Sequence, residues 1–177
     1  MSIEVLEKLF GAGYELKKMR QLSQPSDFAC EEVVIVKSGS HILENVRIVG
    51  PLREQTQVEI SVTDAKVLGV TPLIRLSGDL VGTTPVVLEG PKGAVSLNEG
   101  LIVALRHLHC NEAEAAKLGV KNGDKIAVLV EGERAIVFEN VSVRVGHKYK
   151  LCLHLDTDEG NAAGINKKGF GVISLRK

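Results

Sequence analysis

The sequence predicts a mainly β protein with short helices, and three observations lead to this prediction. Segments that are short, rich in β-branched residues and bounded by Gly, Pro or Asn dominate the chain, at residues 31–39, 44–51, 56–62, 84–93, 124–146 and 150–156. Aromatic residues make up only 3% of the chain and Trp is absent, whereas 44% of the residues are hydrophobic, so the core is expected to be aliphatic. Only four short segments carry helix signals.

Turn and helix signals divide the chain further. Residues 126–138 predict a β-hairpin that turns near Gly132, and the Gly-Pro-Lys-Gly stretch at 90–93 predicts another turn. The four helices each begin at a capping residue and end at a glycine. The expected N-caps are Ser2, Thr63, Asn111 and either Thr157 or Asp158, and the closing glycines are Gly11, Gly69, Gly119 and Gly164. This predicts a weak internal repeat of strand, polar side chain, N-cap and short helix.

Composition excludes several classes of function. Twenty-two basic residues balance twenty-two acidic ones, which argues against nucleic acid or an anionic membrane as the main partner. No apolar run approaches the roughly 20 residues that span a bilayer, and the first twenty residues alternate between charged and apolar types, unlike a signal peptide. The three cysteines, Cys30, Cys110 and Cys152, have no Cys-x-x-Cys spacing and indicate reduced thiols in a cytoplasmic protein.

A pair of histidines marks the end of a predicted strand. His107 and His109 lie two residues apart, so an extended chain points both to one face. With His154 as a third ligand they would suit zinc, which takes neutral imidazoles. Two surface or hydrogen-bonded histidines are the alternative on spacing alone, and His154 alone is better interpreted as a core histidine. His41 and His147 lie in turn-like, polar contexts and are interpreted as surface residues.

A second set of polar residues precedes this pair. Arg53 and Glu59 lie six residues apart along a strand-like run and could share a face, where the arginine could hold phosphate through two hydrogen bonds. A solvated charge pair is the alternative. Ser77 lies in a glycine-containing loop of low specificity. Arg106 and Cys110 have the opposite parity to the histidines, which favours a surface or supporting charge for Arg106 and a buried thiol for Cys110.

Four segments give the chain a resemblance to a known family. "LFGAGYELKKMRQLSQPSDFACEE", "NVRIVGPLREQTQVEIS", "RHLHC" and "LHLDTDEGNAAGI" are similar to the PduL-type phosphate propanoyltransferases, phosphotransacylases associated with bacterial microcompartments. The resemblance runs from about residue 2 to about residue 173. It implies two small β-barrel domains capped by short α-helices: residues 1–104, with the phosphate- and CoA-contacting residues, and residues 105–177, with the three-His metal site.

The resemblance also implies an activity and a set of site residues. The family converts a short-chain acyl-CoA, such as propanoyl-CoA or acetyl-CoA, and phosphate reversibly into acyl phosphate and CoA, with zinc assistance. By position, one zinc would be held by His107, His109 and His154, and a second by Glu59; Arg53 and Ser77 would lie at the phosphate, and Arg20, Arg47, His154 and Asn161 at CoA. The same resemblance implies association with a bacterial microcompartment in the cytoplasm and a part in propanediol degradation.

The start of the chain departs from the family pattern. The family's first motif is a His-x-His followed by Leu-Ser, and Met1-Ser2 falls where Leu-Ser would be. The chain therefore resembles an N-terminally truncated member, either by nature or by a late gene start, whose activity is expected to be impaired. The second zinc position, left with Glu59 alone, is expected to be empty or weakly filled. The sheet edge left by a missing strand favours a homo-oligomer. An inactive paralogue that binds CoA or serves assembly is the alternative function. A zinc-dependent hydrolase is disfavoured because no acidic residue is clearly placed as a base, although Asp156 and Asp158 lie near His154.

Overall fold

The computed structural model describes residues 1–166 and 168–174, and it divides into two compact units, Met1–Ala104 and Leu105–Lys177. The described residues form twelve strands and four helices, and none of the four helices is longer than eight residues. The predicted fold class, mainly β with short helices, is confirmed. None of these helices has the length and apolar run needed to cross a membrane.

The first unit is built around one seven-stranded sheet. Its elements are α1 (Ile3–Phe10), β1 (Lys18–Gln21), β2 (Phe28–Ser38), β3 (His41–Gly50), β4 (Val58–Glu59), α2 (Val62–Val67), β5 (Leu73–Arg75), β6 (Thr84–Gly90) and β7 (Gly93–Ala104). The strand order is β1-β2-β6-β7-β4, with β3 added on β2 and β5 on β7. The long strands β2 and β7 each pair with three others, because a curved sheet exchanges partners along a long strand. Strands β4 and β5 both run parallel to the end of β7, at residues 101–104.

Helix α1 covers the aliphatic core of this unit. Leu6 and Leu9 are fully buried, and they pack in one cluster with Leu68, Leu88 and Leu101. Burial of one such side chain contributes about 1.5–3 kcal/mol. Because no large aromatic side chain is fully buried in this cluster, the expectation of an aliphatic core holds for the first unit.

The second unit is a five-stranded sheet with two short helices. Its elements are β8 (His107–Cys110), α3 (Glu112–Leu118), β9 (Lys125–Val130), β10 (Ile136–Val145), β11 (Cys152–His154), α4 (Thr157–Ala162) and β12 (Gly171–Ser174), in the strand order β11-β8-β10-β9-β12. Strand β8 pairs in parallel with β10 and antiparallel with β11. The core is mainly aliphatic, with Phe138 as its one fully buried ring among the described residues.

The predicted helix boundaries are partly confirmed. Ser2 and Asn111 are the N-caps of α1 and α3. Thr63 is wrong, because the hydroxyl of Ser61 accepts the hydrogen bond from the backbone of Asp64. Thr157 and Asp158 are also wrong as caps. The true cap, Asp156, accepts from the backbone of Glu159, and its own backbone N–H donates to the Glu159 carboxylate. Capping residue types cluster at helix starts, and the one with extended backbone directly before the first turn takes the role.

The strand predictions are confirmed at the hairpins and wrong in one important segment. β9 and β10 form the hairpin around Gly132, and Gly90 and Gly93 face each other across the second turn. The predicted strand at 56–62 shrinks to Val58–Glu59, because residues 51–57 form a loop and α2 begins at Val62. Strands β1, β5 and β12 and most of β7 gave no strand signal in the sequence.

Candidate functional site

Three histidines converge on one face of the second sheet. In the register of β8 with β11, His107 lies opposite His154 and His109 opposite Cys152. Alternate residues of a strand face the same way, and directly opposite residues share a face. The ring centroids of His109 and His154 lie 4.6 Å and 4.9 Å from that of His107, and 4.8 Å from each other.

The spacing of the ring nitrogens fits one metal ion. One ligand atom from each histidine lies within 4.8 Å of the others. Zinc–nitrogen bonds of about 2.0–2.1 Å in a tetrahedron place the nitrogens about 3.4 Å apart. Zinc binding would therefore bring closer together those ligand atoms that lie farther apart than this. Three imidazoles with a fourth position left open are also a donor set of catalytic zinc sites.

One of the two buried histidines, His109, shows the strongest fit to a metal. His109 is only 7% exposed, and neither of its ring nitrogens has a hydrogen-bond partner among the described residues. Burial, followed by the charges of His107, His154 and Arg144, lowers the pKa of His109 from 6.5 to about 3. The imidazole is therefore neutral at physiological pH, with a buried lone pair that costs free energy unless a partner accepts it. A bound metal ion would be such a partner.

His107 is oriented by the backbone. Its Nδ1 lies 2.8 Å from the carbonyl oxygen of Leu105. A carbonyl only accepts, so Nδ1 carries the proton and Nε2 carries the lone pair. Metal-binding histidines commonly donate their second ring nitrogen in this way, which fixes the tautomer and the ring direction.

A separate set of polar side chains lies in the first unit, and we call Arg53, Gln57, Glu59 and Ser77 the Arg53 cluster. Nη1 of Arg53 donates to Oγ of Ser77 at 3.1 Å. Nε2 of Gln57 donates to the same Oγ and to Oε1 of Glu59, at 2.6 Å each. The backbone N–H of Gly78 donates to Oε1 of Gln57 at 2.9 Å. One amide side chain thus joins the serine, the carboxylate and the loop that carries Ser77.

The side chains of the Arg53 cluster do not all lie on one strand, as the sequence had indicated for Arg53 and Glu59. Arg53 lies in the loop before β4, so the prediction that a strand carries both Arg53 and Glu59 is wrong. The loop is held by contacts distant in sequence: the backbone N–H of Arg53 donates to the carbonyl oxygen of Met1, and that of Ser2 donates to Oγ1 of Thr56, both at 2.9 Å. The sequence pattern gave no indication of Gln57, which lies in the loop two residues before Glu59.

Of the four residues predicted to contact CoA, His154 belongs to the histidine group, Arg20 and Arg47 lie in the first unit, and Asn161 lies in the second. Nη1 of Arg47 donates to the carbonyl oxygens of Cys30 and Glu31, at 2.7 Å and 3.1 Å. Arg20 is exposed on β1, and Asn161 is exposed in α4.

Four further residues that the sequence singled out are His41, His147, Cys110 and Arg106. His147 is exposed, and so is His41 in the first unit, which confirms both as surface residues; Cys110 is fully buried, as expected. Arg106 lies 3.2 Å from Oε1 of Glu159, and burial raises the pKa of that carboxyl. Because Arg106 precedes β8 directly, this ion pair connects the start of β8 with α4.

The fold and the three-His centre together define a mainly β protein with a candidate catalytic metal site, and comparison with known proteins gives its family. The sequence profile of the phosphate propanoyltransferases matches residues 1–166. A phosphate propanoyltransferase of Thermotoga maritima is 47% identical over 167 residues, 94% of this chain and 80% of the relative. Those of Lachnoclostridium phytofermentans and Priestia megaterium are 48% and 46% identical, over 90% and 99% of this chain and 75% and 81% of the relatives. The chain belongs to the phosphate propanoyltransferase family, a family of acyltransferases, and the predicted resemblance is confirmed.

Proposed function

We propose that this protein is a zinc-assisted phosphate acyltransferase that interconverts a short-chain acyl-CoA and phosphate with an acyl phosphate and CoA. Propanoyl-CoA and acetyl-CoA are the proposed substrates. The observation that supports the metal most directly is the buried His109, whose two ring nitrogens lack partners among the described residues and which lies beside two further histidines. Family membership supports the reaction class.

The reaction is an acyl transfer between sulfur and oxygen. A phosphate oxygen forms a bond to the thioester carbonyl carbon, the carbon–sulfur bond breaks, and CoA leaves as a thiolate that takes a proton from solvent. Negative charge passes from the carbonyl oxygen to the sulfur, so positively charged groups stabilise the transition state. His107, His109 and His154 would hold the zinc, which when bound supplies a Lewis acid for an anionic oxygen.

Arg53 would bind phosphate in this scheme. Its planar guanidinium offers five N–H donors and matches two phosphate oxygens at once. Ser77 accepts a hydrogen bond from Nη1 of Arg53 and also one from Gln57, so the guanidinium is anchored on a fixed oxygen. Arg53 would thus keep its orientation when phosphate arrives, and Ser77 would lie at the phosphate.

We also propose roles for the remaining predicted residues. Arg20, Arg47 and Asn161 would contact CoA, with His154 next to it, and Glu59 would lie at the second zinc position, which one carboxylate alone fills weakly or leaves empty. We further propose a cytoplasmic protein that is associated with a bacterial microcompartment and acts in propanediol degradation. These proposals rest on the resemblance and on the charge balance and cysteine content of the sequence.

The deciding experiment measures CoA release from propanoyl-CoA and acetyl-CoA, with and without phosphate, together with the metal content of the protein. We expect release that depends on phosphate and stops when a chelator removes the metal. Release of equal rate without phosphate would instead identify a thioester hydrolase. CoA binding without any release would identify the alternative, a binding or assembly module.

A further inference from the structure

The ring of Tyr149 lies flat against one ligand of the three-His centre. The centroids of the Tyr149 and His109 rings are 4.0 Å apart, and the two planes are inclined by only 16°. Tyr149 lies in the loop between β10 and β11, outside any helix or strand. A loop side chain therefore covers one of the two buried histidines of the centre.

His109 needs such a neighbour because no recorded hydrogen bond directs its ring. His107 is directed by the carbonyl oxygen of Leu105, whereas both ring nitrogens of His109 lack hydrogen-bond partners among the described residues. A ligand histidine is normally held by a hydrogen bond from its second nitrogen. The ring of Tyr149 packs on the face of the His109 ring. This packing takes the place of the missing hydrogen bond.

The loop that carries Tyr149 is shaped for this contact. The backbone N–H of Tyr149 donates to the carbonyl oxygen of Gly146 at 2.9 Å, and the N–H of Gly146 donates to that of Cys110 at 3.0 Å. A Cβ atom at Gly146 would lie 2.9 Å and 3.0 Å from two ring carbons of Tyr149. Gly146 has no positive φ, so its need for glycine is a need for space under the tyrosine ring.

We propose that Tyr149 is a positioning residue that sets the direction of the His109 imidazole for metal binding, and that Gly146 makes room for it. The face of the ring carries this role, and the phenol hydroxyl does not. The inference rests on the proposed metal site and deepens it. The partner of the assembled group is a divalent cation that accepts imidazole nitrogen, such as Zn²⁺ or Co²⁺.

The test measures zinc affinity by chelator competition and the visible absorption of the Co²⁺-loaded protein. Loss of a group that orients a ligand typically costs 10–100-fold in metal affinity. We therefore expect Tyr149→Leu and Gly146→Ala to weaken zinc binding by about 10–100-fold and to alter the Co²⁺ spectrum. Tyr149→Phe should retain both properties, and so should the control His147→Ala, which changes an exposed side chain of the same loop.

Thermal unfolding in the presence of chelator separates this role from a structural one. Tyr149→Leu with wild-type zinc affinity and a lowered unfolding temperature would make Tyr149 a packing residue only and would overturn the proposal. Equal losses in Tyr149→Phe and Tyr149→Leu would overturn it too, because the hydroxyl would then be responsible. If the wild-type protein binds neither ion, the metal site fails along with this inference; if it binds and Tyr149→Leu binds equally, only the inference fails.

Discussion

The three-His centre and the Arg53 cluster are assembled by different means, although each contains a residue that ends a strand. In the centre, strand register places His107 opposite His154, and the period of two along β8 adds His109. In the cluster, the joining elements are side-chain hydrogen bonds from Gln57 and a loop tied to the chain start by Thr56. Strand periodicity alone thus predicts that His107 and His109 share a face, whereas the addition of His154 and the whole Arg53 cluster depend on contacts between distant segments.

The two groups also differ in exposure. His107 and His109 are each 7% exposed, whereas Arg53 and Glu59 are exposed. A buried metal ligand has few ways to be replaced by solvent or a neighbouring side chain. We therefore expect substitutions in the centre to remove its function abruptly and substitutions in the cluster to weaken function in graded steps.

The largest effect is expected from His109→Ala. Removal of a group that only orients a ligand already costs 10–100-fold in metal affinity, so loss of the ligand itself should cost more than about 100-fold. Zinc content after dialysis should fall to background, and phosphate-dependent CoA release should fall with it. His147→Ala is the matched control, since it removes an exposed histidine of the same unit and should leave both measurements unchanged. Full zinc occupancy in His109→Ala would contradict the assignment of the centre.

Arg53→Ala tests the cluster at its charged residue. Loss of one donor that stabilises developing negative charge commonly costs about 10²–10³-fold in turnover. We expect a loss in this range for phosphate-dependent CoA release, while zinc content stays at the wild-type level. Arg53→Lys should recover little, because a point charge cannot replace a planar fork with two bonds.

Lys66→Ala, which removes an exposed cation of α2, serves as the charge control. If Arg53→Ala and Lys66→Ala reduce turnover equally, the effect comes from overall charge and Arg53 has no specific role. If Arg53→Ala loses zinc as well, zinc binding by the three-His centre depends on the Arg53 cluster, contrary to our expectation.

The common direction of His107 and His109 follows from a simple rule. Residues that alternate along a strand share a face, so His107 and His109 had to point the same way once β8 formed. The same rule was wrong for Arg53 and Glu59, because the loop before β4 breaks the alternation between them. The proximity of Arg53 to Ser77 rests on a hydrogen bond between residues 24 positions apart, which no local pattern encodes.

The fold shows the same division between local and distant information. Hairpins and helix positions were predictable, since turn residues and caps act within a few positions. Most of strand β7 was missed because Gly100 and several polar residues interrupt its hydrophobic pattern. Nevertheless, β4 and β5 both pair with the C-terminal end of this strand. Its position in the middle of the sheet follows from pairing with distant segments, which the sequence does not display.

Gln57→Met tests whether one amide side chain organises the cluster. This change keeps the length of the side chain and removes its hydrogen bonds to Ser77, Glu59 and Gly78. A loss of about 1.4 kcal/mol, equal to about tenfold in kcat/KM for phosphate, is expected for bonds of this kind. Gln57→Glu should be worse, because it places a second carboxylate beside Glu59. An unchanged KM and kcat for phosphate in both variants would show that Gln57 has only a local structural role.

The smallest effect concerns a feature that the two groups share. In each case a site residue lies at or next to the end of a strand, and a helix N-cap follows two residues later. The pairs are Glu59 and Ser61, His109 and Asn111, and His154 and Asp156. Loss of such a cap costs about 1 kcal/mol of stability. Ser61→Ala should lower the free energy of unfolding by about this amount in urea titration. Because the helix start follows the site residue so closely, Ser61→Ala should also disturb the Arg53 cluster and raise the KM for phosphate slightly, whereas Asn111→Ala should act on zinc affinity instead. A cap variant that lowers stability without any effect on its neighbouring group would show that the strand end holds its side chain without help from the helix that follows.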